Sequence, residues 1–227
     1  MWTLTKEQQQ AITPEKAIEL LKEGNKRFVN NLKLNRNLLQ QVNETSQGQF
    51  PFAVILSCMD SRTPAELIFD QGLGDVFSIR VAGNILNDDI LGSIEFACQV
   101  VGVKLIAVVG HTQCGAIKGA CDGVKLGNLT NLLNKISPVI QEAKKLDSKH
   151  DVHSPEFLNC VTSLNVKHTM NEIKQRSNIV HQLLDEKELQ LLVVYISLRQ
   201  EKFNFLMSDI KASIIFNDQF FLAVQQY

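Results

Sequence analysis

Two short motifs hold the residues with the most chemistry to offer. One is Cys58-Met59-Asp60-Ser61-Arg62, the other His111-Thr112-Gln113-Cys114-Gly115. Two thiolates and an imidazole suit zinc, which favours tetrahedral sulfur and nitrogen ligands. Three protein ligands leave a fourth position for water or a carboxylate, and Asp60 is the acid inside these motifs. Taken singly, each cysteine reads first as a buried apolar residue, the usual fate of Cys. Asp60 and Arg62 alone read as a salt bridge within a turn. The case for a metal rests on the motifs coming together.

The elements around them bring that about. PFAVILSC (51–58) and KLIAVVGH (104–111) are short continuous apolar runs, as expected of strands buried on both faces. Each motif therefore closes a strand, and in parallel sheets sites gather at the carboxyl ends of strands. DVFSIRVAGN (75–84), ended by Gly83, and LQLLVVYISL (189–198) give two more strands, and KFNFLM (202–207) an antiparallel edge. Helices are expected between them. Thr13-Pro14-Glu15 caps one running to about Phe28, and Thr63-Pro64-Ala65-Glu66 has the form of a capping box. Residues 90–102 form another, stopped at Gly102, and GAIKGAC begins one directly after His111-Thr112-Gln113-Cys114. Residues 128–147 are helical with an interruption at Ser137-Pro138, and a long helical region starts at Ser154-Pro155-Glu156 and runs to about Asp185. The Asn- and Gln-rich residues 30–49 read as an extended arm or loop, lying either on a partner subunit or on its own domain. Strands alternating with helices define an α/β class, a mainly parallel central sheet flanked by helices with an N-terminal helical arm. One domain is expected over 1–227: helix and arm to 49, core over 50–207, and a C-terminal extension over 208–227.

Composition narrows the function. With 227 residues, 44% apolar and 21% charged, the chain is long enough to bury a sizeable core. A net charge of −1 leaves no electrostatic footprint for nucleic acid. Five cysteines do not make the dense framework of a small secreted scaffold. The N-terminus has no basic region followed by an apolar run, and no stretch approaches the ~18 apolar residues of a membrane span, so a soluble cytoplasmic protein is expected. His150 and His153 fall in a polar loop, His168 and His181 in helical stretches. Cys98, Cys121 and Cys160 read as helix packing.

CxDSR followed by HxxCG resembles the metal signature of the β-class carbonic anhydrases. The resemblance extends through TPEKAIELLKEGNKRF, RVAGN, GSIEFA, VVGHTQCGAIKGA and NVKHTMNEIKQRS, roughly residues 13–207 in order. It implies reversible hydration of carbon dioxide to bicarbonate and a proton by zinc-bound hydroxide. Cys58, His111 and Cys114 would hold Zn2+, and Asp60 would be the fourth ligand in a closed form. In the open form Asp60 would orient the hydroxide, with Arg62 clamping its carboxylate by a forked guanidinium. Gln49 matches a glutamine that reaches the substrate from a partner subunit. Phe77 matches an aromatic wall residue, Phe96 stands where many members have Tyr, and Gly115 belongs to the substrate-binding set. By periodicity alone both Phe residues are ordinary core. The family implies a homodimer or tetramer.

One departure is informative. Some bacterial members carry, at the position of Ile55, a Trp that belongs to a non-catalytic bicarbonate site. Arg80 and Tyr195 occupy places for its other members, but without the Trp that inhibitory site is expected to be missing and the open form to prevail near neutral pH. Competing readings are hydrolysis of CS2 or COS on the same scaffold, a non-catalytic protein with a structural zinc, and a thiol redox sensor.

Overall fold

The computed structural model describes residues 3–147 and 149–198. The edge strand expected over 202–207 and the extension over 208–227 lie outside them. Among the described residues four parallel strands form the sheet: β1 (Ala53–Ser57), β2 (Val76–Arg80), β3 (Leu105–His111) and β4 (Gln190–Ile196), in the order β2-β1-β3-β4. Register aligns Ser57 with Arg80 on one side and with Val109 on the other.

Alternation along the strands divides the core. Val54, Leu56, Ile106, Val108, Leu191 and Val193 face one cluster, completed by α5 (Asp88–Glu95), α9 (Pro155–Arg176) and α10 (Asn178–Asp185). Ala53, Ile55, Leu105, Ala107, Leu192 and Val194 face the other, under α2 (Pro14–Val29) and α4 (Ala65–Ile68). Both faces of the central strands β1 and β3 are covered, so these read as apolar runs, whereas the edge strand β2 alternates half-buried Phe77 and Ile79 with exposed Ser78 and Arg80. Each fully buried Leu or Ile contributes roughly 1.5–3 kcal/mol. A third cluster lies beyond the strand ends, beneath α6 (Gly115–Cys121), α7 (Gly127–Asn134), α8 (Ser137–Leu146) and the start of α9, and it encloses Cys58 and Cys114.

Several local expectations need correction. A short helix, α1 (Lys6–Ala11), precedes α2. The arm contains α3 (Leu38–Glu44), capped where Gln40 N–H donates to Asn37 Oδ1. The arm is also tied to its own chain, Leu73 N–H donating to the buried Gln41 Oε1. The capping box at Thr63 does not form. Thr63 Oγ1 donates to Asp60 C=O at 3.3 Å, Glu66 accepts from Ser78 Oγ at 2.6 Å, and Pro64 becomes the cap of a four-residue helix. The helix over 90–102 changes to a π-turn at Phe96–Val101 before Gly102 ends it at φ 84°. The region starting at Ser154 breaks at Ser177, whose hydroxyl accepts from Val180 N–H to begin α10. Among the described residues no helix is long and apolar enough to cross a membrane.

Candidate metal centre

The ends of β1 and β3, adjacent and parallel, carry Cys58 and His111 to the same edge of the sheet. Cys114 follows at the start of α6, after Gln113 turns the chain at φ 56°. The ligand atoms of Cys58, His111 and Cys114 lie within 4.8 Å of one another and all three residues are buried. The two sulfurs are 3.9 Å apart. His111 Nδ1 contacts Thr112 C=O at 2.9 Å, which marks Nδ1 as the protonated nitrogen and Nε2 as the lone-pair donor. Nε2 is buried and has no hydrogen-bond partner. A buried nitrogen left in that state is costly unless it serves a ligand. Two sulfurs and this nitrogen make a donor set that fits a tetrahedral zinc ion.

Electrostatics agree. The Cys114 thiol beside it, His111 and the amide of Gly83 favour a thiolate at Cys58 and hold its pKa down to about 4, against burial. Cys114, facing that charge and buried as well, keeps its proton more tightly than a free cysteine. A divalent cation held by Cys58 and Cys114 would remove the obstacle to the second ionisation. Burial works against a charged His111, but contact with the Cys58 thiolate and Thr112 C=O outweighs it and raises its pKa.

Asp60 stands at the rim, Oδ2 lying 3.9 Å from His111 Nε2. Arg62 grips it with a fork: Nε donates to Oδ1 at 2.9 Å and Nη2 to Oδ2 at 2.7 Å, while the Arg62 amide donates to Oδ1 at 3.0 Å. This clamp, above all, holds the Asp60 carboxyl at about 2, well below the usual aspartate range. The carboxylate is thus committed to Arg62 in this arrangement. Arg62 Nη2 also reaches Gln113 C=O at 3.5 Å, joining the two motifs.

The other expected site residues are spread more widely. Gly115 opens α6 beside Cys114 and is exposed. Phe77 pairs with Val54 and packs half-buried on the α5 side of the sheet. Phe96 is 53% exposed at the start of the π-turn, and Gln49 is exposed ahead of β1. Ile55 is fully buried in the core under α2. Tyr195 Oη is buried without a partner.

Arg80 has a role that its sequence position did not suggest. Its Nε donates to Cys58 C=O at 3.2 Å and its Nη2 to Asp60 C=O at 2.6 Å, fastening the ligand turn to β2. Gly83, read only as the end of a strand, donates its N–H to Cys58 Sγ at 3.4 Å. The signal available was the RVAGN segment itself, but a backbone donor has no side chain to announce it. His150 and His153 bind Asp147 and Asp122, at 2.8 and 2.9 Å. Burial pushes the Cys98 thiol up to about 12 and the Cys121 and Cys160 thiols up to about 11, as in packed, unreactive cysteines.

A parallel α/β sheet with a buried Cys–His–Cys cluster at its carboxyl edge defines a class of protein equipped to hold a metal ion. The sequence model of the carbonic anhydrase family matches residues 53–203. The chain is 35% identical to the carbonic anhydrase of Mycolicibacterium smegmatis over 176 residues, covering 74% of this chain and 82% of that protein. It is 46% identical to carbonic anhydrase 2 of Mycobacterium tuberculosis over 119 residues, covering 51% of this chain and 56% of that one. Tetrameric β-carbonic anhydrases from the ascomycete Sordaria macrospora match with a TM-score of 0.66 and 27% identity over 72% of this chain and 84% of theirs. The chain belongs to the β-carbonic anhydrase family, whose general activity is hydration of carbon dioxide.

Proposed function

We propose that this chain is a zinc enzyme that interconverts carbon dioxide and bicarbonate, with Cys58, His111 and Cys114 as the metal ligands. The observation that carries the reading is the convergence of these three groups beside a carboxylate already clasped by an arginine. Zinc, when bound, supplies the Lewis acidity that lets water ionise near neutral pH. Asp60 accepts a hydrogen bond at the rim and so fixes the direction of its donor, and Arg62 keeps that carboxylate ionised and in place. A structural zinc site would need neither. Gly115, Phe77 and Phe96 serve as substrate-side surface, carbon dioxide needing little beyond an apolar wall. The exposure of Gln49 and Phe96 supports a pocket completed between two copies, in a homodimer or a larger assembly such as the Sordaria tetramers.

Stopped-flow hydration of carbon dioxide at pH 7 to 9, with zinc content measured on the same sample, tests this. Rapid zinc-dependent turnover is expected, reduced on the order of 10²-fold in Asp60→Ala with zinc retained. A zinc-loaded but inactive wild-type protein would instead support a structural site or another substrate such as COS.

A further inference from the structure

The RVAGN and NVKHTMN segments, far apart in sequence, meet at the metal centre. Gly83 and Asn84 both adopt left-handed backbone, at φ 70° and 41°. That turn aims the Gly83 amide at Cys58 Sγ. Its two carbonyls are held from α9: Asn165 Nδ2 donates to Gly83 C=O at 2.8 Å and Thr169 Oγ1 to Asn84 C=O at 3.1 Å. Asn165 is 1% exposed and Thr169 2%, one helical turn apart on a face otherwise made of Val166, Met170 and Ile173. A buried amide on such a face loses packing that an apolar residue would give, so what it holds matters.

We propose that Asn165 is a positioning residue of the metal centre: by holding Gly83 C=O it fixes the left-handed backbone angles of Gly83, which aim that residue's N–H at the Cys58 sulfur, and so tunes the thiolate's donor strength. A hydrogen bond withdraws electron density from a thiolate, so the sulfur gives less charge to a bound metal. Groups that orient ligands in this way commonly alter metal affinity by 10- to 100-fold when removed. The inference rests on the metal-centre reading above. It differs from a merely structural staple because Thr169 supplies a staple of the same kind one carbonyl further on, with no sulfur beyond it.

The test uses the full chain loaded with Co2+, reading the thiolate-to-cobalt charge-transfer band in the near ultraviolet and affinity by competition with a chromophoric chelator. In Asn165→Leu the band is expected to move to lower energy, because the sulfur electrons are no longer stabilised, with affinity changed about 10-fold. Thr169→Val is expected to leave both unchanged. If Asn165→Leu fails to fold, Asn165→Ser is read in its place, since its hydroxyl is too short to reach Gly83 C=O. An unmoved band in the Asn165 variant, or an equal shift in Thr169→Val, overturns the positioning role. A wild-type protein with no charge-transfer band overturns the metal centre itself.

Discussion

The sulfurs of Cys58 and Cys114 compete for one proton, and replacing either removes a ligand that neither His111 nor Asp60 can supply from its place. Cys58→Ser and Cys114→Ser are therefore each expected to lower bound zinc to a small fraction of wild type, measured by elemental analysis after dialysis. Gly83 is constrained more by space and backbone than by chemistry. Its φ of 70° disfavours any Cβ, and a Cβ there would stand 3.0 Å from Ile136 Cδ1 and 3.2 Å from Ala116 Cβ. Gly83→Ala should cost about 1–2 kcal/mol from the backbone alone, with crowding added, as read by urea unfolding.

At the scale of elements, the arm after α2 is locked to the end of α4 by one carboxylate. Asp70, 4% exposed, receives Arg27 Nε at 2.6 Å and the guanidinium of Arg36, itself 8% exposed. Burial tends to raise its pKa, but the two arginines and Leu34 N–H outweigh that and lower it. Its contribution to stability is thus present above the ordinary aspartate range and is lost as pH falls through the depressed value. Asp70→Asn leaves Arg36 charged, buried and unpaired. It is expected to cost about 3 kcal/mol at neutral pH and to make stability below pH ~4 less dependent on acid. Denaturant melts across pH 2 to 7 check both. Helix α2 meets the same corner through Gly24, where a Cβ would fall 1.7 Å from Phe69 C=O, so Gly24→Ala must push α2 away from α4. A marked loss of thermal stability is expected, on the order of the 1–3 kcal/mol typical of overpacking or beyond it.

Across the whole molecule, Leu38, Leu39 and Val42 on α3 and Phe96 and Val100 on the π-turn remain exposed, Val100 at 69%. Under the assembly reading these apolar side chains are covered by another copy. Light scattering on the purified chain should then give a multiple of 25.5 kDa, and Val100→Glu should shift the protein toward the single-chain mass. A wild-type monomer at micromolar concentration would reject that assembly.

The sequence by itself determined the sheet and the meeting of Cys58, His111 and Cys114 at its edge. The runs closed by Cys58 and His111 became the central strands β1 and β3, because a strand covered on both faces must be apolar, while the edge strand β2 alternates Phe77 and Ile79 with exposed Ser78 and Arg80. With the strands in place, the two motifs could only meet at one edge. Residues 30–49 were less legible, since α3 is seven residues long, too short to show a helical period, and is anchored by a tertiary bond from Leu73 N–H to Gln41. Thr63 also misled: Glu66, the acid that would complete the box, accepts from Ser78 Oγ instead, and the Thr63 hydroxyl donates to Asp60 C=O. Only the tertiary structure decided what surrounds the Cys58–His111–Cys114 cluster. The Arg80 hold on two carbonyls, the Gly83 amide on sulfur and the Asn165 hold on Gly83 all act through backbone atoms. Every residue has those atoms, so residue types cannot reveal their partners, and folding alone places Asn165 beside Gly83.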